Sequence, residues 1–378
     1  MKHSTLHSLS LLLFICLACN SAKDKNEANA EHTIKIDIGN LSEFAMEDIA
    51  SFHSMIPLES TDEIIIGRIN KVELTDSLIF IFDMMQNNIF VFDLDGKYKY
   101  KIGEKGPGPQ EYIRIMDFQL DESRNEIKLS DTGSKRIVTY NLQGDFLYAK
   151  RIEYYMYSFF PYKSGHWGVN GGQNTDGYDL IFENNENEIE HGFFPINAQL
   201  PLMMTNNFFY NHGDLMYHFS FSNYIYKIED QKLHPYIYVD FGSKGIDYDL
   251  MTDMTNNKIF NSSYLGKIFN VFFHKEKIFF TFVESFENSN EIKIYTCYVS
   301  LDTPSKPVIF YNREIKHAPE VIMDLYSEIS NVSKSKIIFQ MIPEHHPEDY
   351  FDLFKNTEYE GIITPDANPV LILYAIND

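Results

Sequence analysis

The chain has 378 residues, 44% of them apolar and 23% charged, which excludes a chain too polar to build a core. Its 54 acidic against 32 basic residues give a formal charge of −22, the wrong sign for a surface that holds nucleic acid through its phosphates. With 31 Phe, 25 Tyr and 1 Trp, it is rich in the aromatic residues that favour strands.

The first element is a targeting segment. Lys2 precedes an apolar run over residues 9–17 that is too short to span a bilayer, and the run ends in Leu17-Ala18-Cys19. This pattern resembles a bacterial lipoprotein signal, although Cys16 stands where such signals usually carry Leu. The resemblance implies that residues 1–18 leave and that Cys19 carries the lipid, anchoring the chain in the cell envelope at the outer membrane, on its periplasmic or surface face. An ordinary signal peptide cut nearby is the alternative. Of the three cysteines, Cys16, Cys19 and Cys297, only Cys297 then keeps a thiol, so no disulfide framework is available and a large core must hold the fold. Cys297 sits in the strand-like run Ile292-Lys-Ile-Tyr-Thr-Cys-Tyr-Val and reads as a buried small hydrophobe.

Residues 19–32 are polar, without an aromatic or branched apolar side chain up to Glu31, and read as a flexible tether. The folded part, residues 33–378, is expected to be one domain. It opens on Thr33-Ile-Lys-Ile-Asp-Ile, a period-two alternation that predicts a strand.

A repeat follows. Asp83, Ile89 and Gly96 recur as Asp131, Ile137 and Gly144, each 48 residues on and without a gap. Each unit holds four strand-like runs, with Asp-Gly or Gln-Gly where a tight hairpin needs positive φ. Four-stranded units at this period predict an all-β fold, a β-propeller of six blades of four antiparallel strands, with seven blades as the alternative count. Later units are expected at residues 165–183, 214–228, 274–299 and 336–374. A ring must close, so residues 33–38 or 55–58 are expected to complete the last blade.

The run Ile102-Gly-Glu-Lys-Gly-Pro-Gly-Pro-Gln-Glu-Tyr112, followed by Asp117-Phe118, resembles the six-bladed β-propeller lipoproteins of the Bacteroidetes, which are NHL-like propellers. Their first blades read IG, then GxGPGEY, then DF; Pro109-Gln110 replaces the usual Gly-Glu. The resemblance covers residues 52–152 and implies an exported, lipid-anchored propeller. It transfers no catalytic residue.

Gly and Pro make residues 106–112 a stiff blade-crossing loop. It is expected either to present Glu111 and Tyr112 to a ligand at the channel mouth, or to staple two blades with Tyr112 packed and Glu111 capping backbone amides. His166 and Trp167 are candidates for a sugar-stacking platform, with a packed blade edge as the other reading. The acidic segment 344–349 holds two imidazoles, but adjacent histidines on a strand point to opposite faces, so a solvated loop is expected there. Asp83 and Asp131 are expected to bond turn amides. No cofactor is predicted, with calcium possible if carboxylates converge in the channel.

Two functions remain open. The favoured one is a binding or scaffold module whose propeller face holds a peptide, glycan or partner protein, with the membrane reached through Cys19 and nucleic acid excluded. The alternative is a calcium-dependent hydrolase or lyase, of the lactonase kind, with its site in the central channel.

Overall fold

The computed structural model describes residues 30–42, 50–170, 177–195, 208–211, 213–219, 222–245, 263–287, 292–311, 315–317, 321–323, 329–333, 336–345 and 348–377. The signal segment 1–18, Cys19 and the tether up to residue 29 lie outside these residues, as do His346 and Pro347 of the acidic segment.

Two strands precede the blades, β1 (His32–Lys35) and β2 (Ala50–Pro57). The first blade is β3 (Ile69–Leu74), β4 (Leu78–Asp83), β5 (Asn88–Asp93) and β6 (Tyr98–Lys101). The second is β7 (Ile115–Asp121), β8 (Glu126–Asp131), β9 (Arg136–Asn141) and β10 (Phe146–Arg151). The third is β11 (Ser158–Tyr162), β12 (Gly165–Val169), β13 (Tyr178–Asn184) and β14 (Ile189–Pro195). The fourth is β15 (Phe208–Asn211), β16 (Asp214–His218), β17 (Tyr224–Glu229) and β18 (Lys232–Asp240). The fifth is β19 (Tyr264–His274), β20 (Lys277–Ser285), β21 (Ile292–Ser300) and β22 (Val308–Tyr311). After a small ladder of β23 (Ile315–His317) and β24 (Val321–Met323), the sixth blade is β25 (Ile329–Ser333), β26 (Lys336–Met341), β27 (Val370–Ile376) and β2. The architecture is a six-bladed β-propeller, and the 48-residue repeat superposes β4 on β8 and β5 on β9 without a gap.

The ring closes through β2, which runs antiparallel to β27 with Ala50 opposite Ile376 and Pro57 opposite Val370. Of the two segments the sequence offers for closure, the later one takes this place. The earlier one, in β1, lies parallel to β18 and adds a fifth strand outside the fourth blade, His32 opposite Ile237. It thereby covers the exposed edge of β18.

Each blade is buried on both faces, which explains why its middle strands read as apolar runs rather than alternating ones. Ile79, Phe80, Ile81 and Phe82 of β4 are all buried. Ile79 and Ile81 point into a cluster with Ile338 and Leu371 of the sixth blade. Phe80 and Phe82 point the other way, onto Ile127 and Leu129 of the second. Such clusters fill the blade interfaces around the ring. Each fully buried Phe or Ile adds about 2–3 kcal/mol of transfer free energy. The interface between blades two and three has the smallest of these clusters, built on Ile137, Ile152, Met156, Phe159 and Ile181.

The two repeated glycines hold the hairpin conformation their turns require, Gly96 at φ +79 and Gly144 at φ +92. A Cβ at Gly96 would also collide with the Pro57 carbonyl, so this turn seats the end of β2 against the first blade.

Candidate binding face

The strands β3, β7, β11, β15, β19 and β25 are innermost in their sheets and surround the channel. One face of the ring is made by the crossovers that lead into them and by the turns between the second and third strands of each blade. The buried carboxylates of Asp83 and Asp131 stitch these two kinds of loop together. Asp83 accepts from Gly67 N at 2.6 Å and Arg68 N at 3.4 Å in the crossover, and from Met85 N at 2.8 Å and Gln86 N at 3.1 Å in the turn. Asp131 does the same for Ile113 N at 3.2 Å, Arg114 N at 2.8 Å and Gly133 N at 3.1 Å. The expectation that both aspartates serve turn amides therefore holds, and each also pins the preceding crossover.

The glycine- and proline-rich loop is a staple between blades one and two. Tyr112 is fully buried, and its hydroxyl donates to Asn88 Oδ1 at 3.0 Å. Burial raises its phenol far above the ordinary value, so it stays protonated. Glu111 folds back so that Oε2 accepts from Gly108 N at 2.7 Å. The second blade grips the loop carbonyls. Arg136 donates to Glu111 O at 2.9 Å and to Pro109 O at 3.3 Å, and the Tyr140 hydroxyl donates to Gln110 O at 2.7 Å. The expectation that Tyr112 faces a ligand is corrected here, because its ring has no open face. Glu111 stays partly exposed.

His166 and Trp167 separate, as neighbours on a strand must. Trp167 is fully buried between blades three and four, 5.3 Å from Phe182 and 6.0 Å from Phe193 between ring centroids. That placement corrects the expectation of an open stacking platform. His166 points the opposite way and is buried beside Glu183, with Nε2 to Oε1 at 3.9 Å. Burial first, and then the nearby Lys150 charge, hold His166 down at about 4, so it is neutral at pH 7. Burial pushes the Glu183 carboxyl up. These polar groups explain why the apolar cluster at this interface is small.

Two further polar devices carry no local sequence signal. Lys71 on β3 donates to Asp117 Oδ1 at 3.0 Å and to Phe118 O at 2.6 Å on β7. Asp117 in turn accepts from Ser158 Oγ at 3.0 Å and Phe159 N at 3.1 Å on β11, so three innermost strands are linked. Asn368, just before β27, closes the ring on the same face. Its Oδ1 accepts from Ile66 N at 2.8 Å, and its Nδ2 donates to Glu59 O at 2.7 Å and Ile64 O at 2.8 Å. Their partners lie in other blades or across the whole chain.

On this pinned framework, large apolar side chains stand out from the surface. Met85 is 74% exposed, Ile65 58% and Ile113 42%. Met85 and Ile65 are neighbours, since Gln86 Nε2 donates to the Ile65 carbonyl. Tyr155 and Tyr178 are exposed on the same face of the third blade. Among the described residues, no group of three His, Cys, Asp or Glu side chains comes together as a metal would require, and no helix is long and apolar enough to cross a membrane.

These features define a six-bladed propeller with a stiff, partly apolar loop face. The chain belongs to the family described as a domain of unknown function, DUF4934, which matches residues 31–375. Among solved structures it is similar to a Bacteroides fragilis protein inferred to be exported, with a TM-score of 0.69 and 14% identity over 92% of this chain and 99% of that one. It is also similar to a DUF4221 member from Bacteroides vulgatus, with a TM-score of 0.57 and 10% identity over 87% and 98%. At such identities the likeness is one of fold. No curated protein matches the chain.

Proposed function

We propose that this chain is an exported binding or scaffold module of the cell envelope, lipid-anchored at Cys19, whose crossover face holds a peptide, glycan or partner protein. The observation that carries this reading is the exposure of Met85, Ile65 and Ile113 on loops whose backbones are fixed by Asp83, Asp131 and the residue 106–112 staple. Large apolar side chains on rigid loops offer contact area at low ordering cost, which is what a recognition surface needs. Glu111 lies at the edge of this face. The resemblance of residues 9–19 to a lipoprotein signal supports the anchor. The net charge of −22 argues that the body itself would be repelled by anionic membranes, leaving attachment to the lipid.

The test uses the mature chain on peptide and glycan arrays, alongside a variant carrying Met85→Glu and Ile113→Glu. Both residues are exposed, so the variant should keep its melting temperature and lose the bound ligands. Ligands retained by that variant would overturn the assignment of this face. For the anchor, Cys19→Ala should move the protein from the membrane fraction to the soluble one. A variant that still sediments with membranes would refute lipidation at Cys19.

A further inference from the structure

The residues immediately preceding the innermost strands stand at the mouth of the channel. In the first three blades they are Arg68, Arg114 and Tyr157. The two arginines occupy equivalent places, since each gives its backbone N–H to the buried aspartate that ends the second strand of its own blade. Both are exposed.

Their charges are unusual for this molecule. The sequence has six arginines, at 68, 114, 124, 136, 151 and 313, and all but Arg313 are among the described residues. Arg124 lies 3.6 Å from Asp121, Arg136 3.6 Å from Asp131 and Arg151 3.2 Å from Glu153. Among the described residues, Arg68 and Arg114 alone of the arginines have no carboxylate within ion-pair distance, in a chain with 22 more acidic than basic groups. The aspartates nearest to them in the fold are committed elsewhere: Asp83 to backbone amides, Asp131 to amides and Arg136. The guanidinium of Arg114 lies within electrostatic range of the Tyr157 phenol. Burial raises that phenol, the Arg114 charge partly offsets the rise and Tyr155 adds to it. Ile65, Met85 and Ile113 flank the arginines with aliphatic surface, and the exposed Tyr155 lies two residues before Tyr157.

We propose that Arg68, Arg114 and the Tyr157 hydroxyl form an anion-binding arc at the channel mouth, which takes the carboxylates of an acidic peptide whose apolar side chains rest on Ile65, Met85 and Ile113. This rests on the binding-module reading and assigns it a ligand class. Two exposed guanidiniums with no carboxylate partner among the described residues complement carboxylates directly, and such charge-assisted bonds are about twice as strong as neutral ones. Because the rest of the surface is acidic, it repels the same ligand elsewhere, which confines binding to the arc.

The experiment reads the fluorescently labelled mature chain on an array of random dodecapeptides, and then measures solution affinities for the strongest binders. Bound peptides should be enriched in Asp and Glu beside aliphatic residues. In R68Q/R114Q that enrichment should vanish and the affinities should fall about tenfold or more, with an unchanged melting temperature. R124Q/R151Q removes the same charge from arginines that already have carboxylate partners, and it should bind as the parent does. Equal weakening by this control would overturn the arc. So would bound peptides lacking acidic enrichment, which would leave the binding-module reading intact. Uronate-containing glycans bound in place of peptides would overturn the ligand class. Neither peptides nor glycans bound at all would remove the arc and the module together.

Discussion

Replacing Asn368 tests how the ring is held shut. Its side chain makes three hydrogen bonds, to Ile66 N at 2.8 Å, Glu59 O at 2.7 Å and Ile64 O at 2.8 Å, and it is only 3% exposed. It joins the loop before β27 to the crossover that enters the first blade, so it acts where the sixth blade meets the first. Asn368→Ala removes all three bonds and takes a partner from one N–H and two carbonyls at a buried position. At about 1 kcal/mol net for each bond, more where a partner is left unsatisfied, the loss is about 3–5 kcal/mol. Asn368→Asp is nearly isosteric but turns an oxygen toward the Glu59 and Ile64 carbonyls, so it should destabilise at least as much at neutral pH. Urea unfolding of the mature chain, followed by tyrosine fluorescence and circular dichroism, measures both. A midpoint shift worth less than about 1 kcal/mol in both variants would refute the closing role. A large effect of Ala with none of Asp would show that shape, not the donor, matters.

Three further outcomes follow from the same geometry. Tyr112→Phe should cost about 1 kcal/mol through the lost bond to Asn88, and Tyr112→Ala about 3–5 kcal/mol through the cavity, both read by urea unfolding; a neutral Ala variant would contradict the staple. His166 and His218 are held at about 4 chiefly by burial, which Lys150 reinforces at His166 and the Ser222 carbonyl opposes at His218. Lowered values favour the fold fully above pH 6.5 and lose that contribution as the pH falls towards 4, by about 3 kcal/mol for each histidine. Melting temperatures across this window should fall less steeply for H166Q/H218Q than for the parent, and parallel curves would disprove the assignment. Cys297 is fully buried and its thiol is pushed well up by burial, so a chain starting after Cys19 should resist a disulfide reagent until unfolded. Rapid native labelling would show that the fifth blade opens.

The blade pattern is legible in sequence because a blade is a local object. Its four strands follow one another, its turns need glycine at Gly96 and Gly144, and its aspartates at 83 and 131 reach only to adjacent loops. Hence the repeat over the first two blades was readable to the residue. The candidate site was less so. Glu111, Tyr112, His166 and Trp167 are unusual residues in unusual runs, yet three of the four are buried. Whether a ring faces solvent depends on which blade packs against it, and no local pattern encodes that. Asn368 and Lys71 look ordinary in sequence because their partners are in other blades, and the arginines at 68 and 114 because their exposure without a carboxylate partner is set by the packing around them.

By itself, the sequence determined the all-β character, the four-stranded unit, its period and its turns, since these depend on contacts between residues close along the chain. Only the tertiary structure decided that residues 50–57 rather than 33–38 complete the last blade, that Trp167 and Tyr112 are interior, and that Arg68 and Arg114 are exposed with no carboxylate partner among the described residues. Those outcomes depend on how sheets stack around a shared axis, which brings together groups as far as 309 residues apart and sets what each one faces.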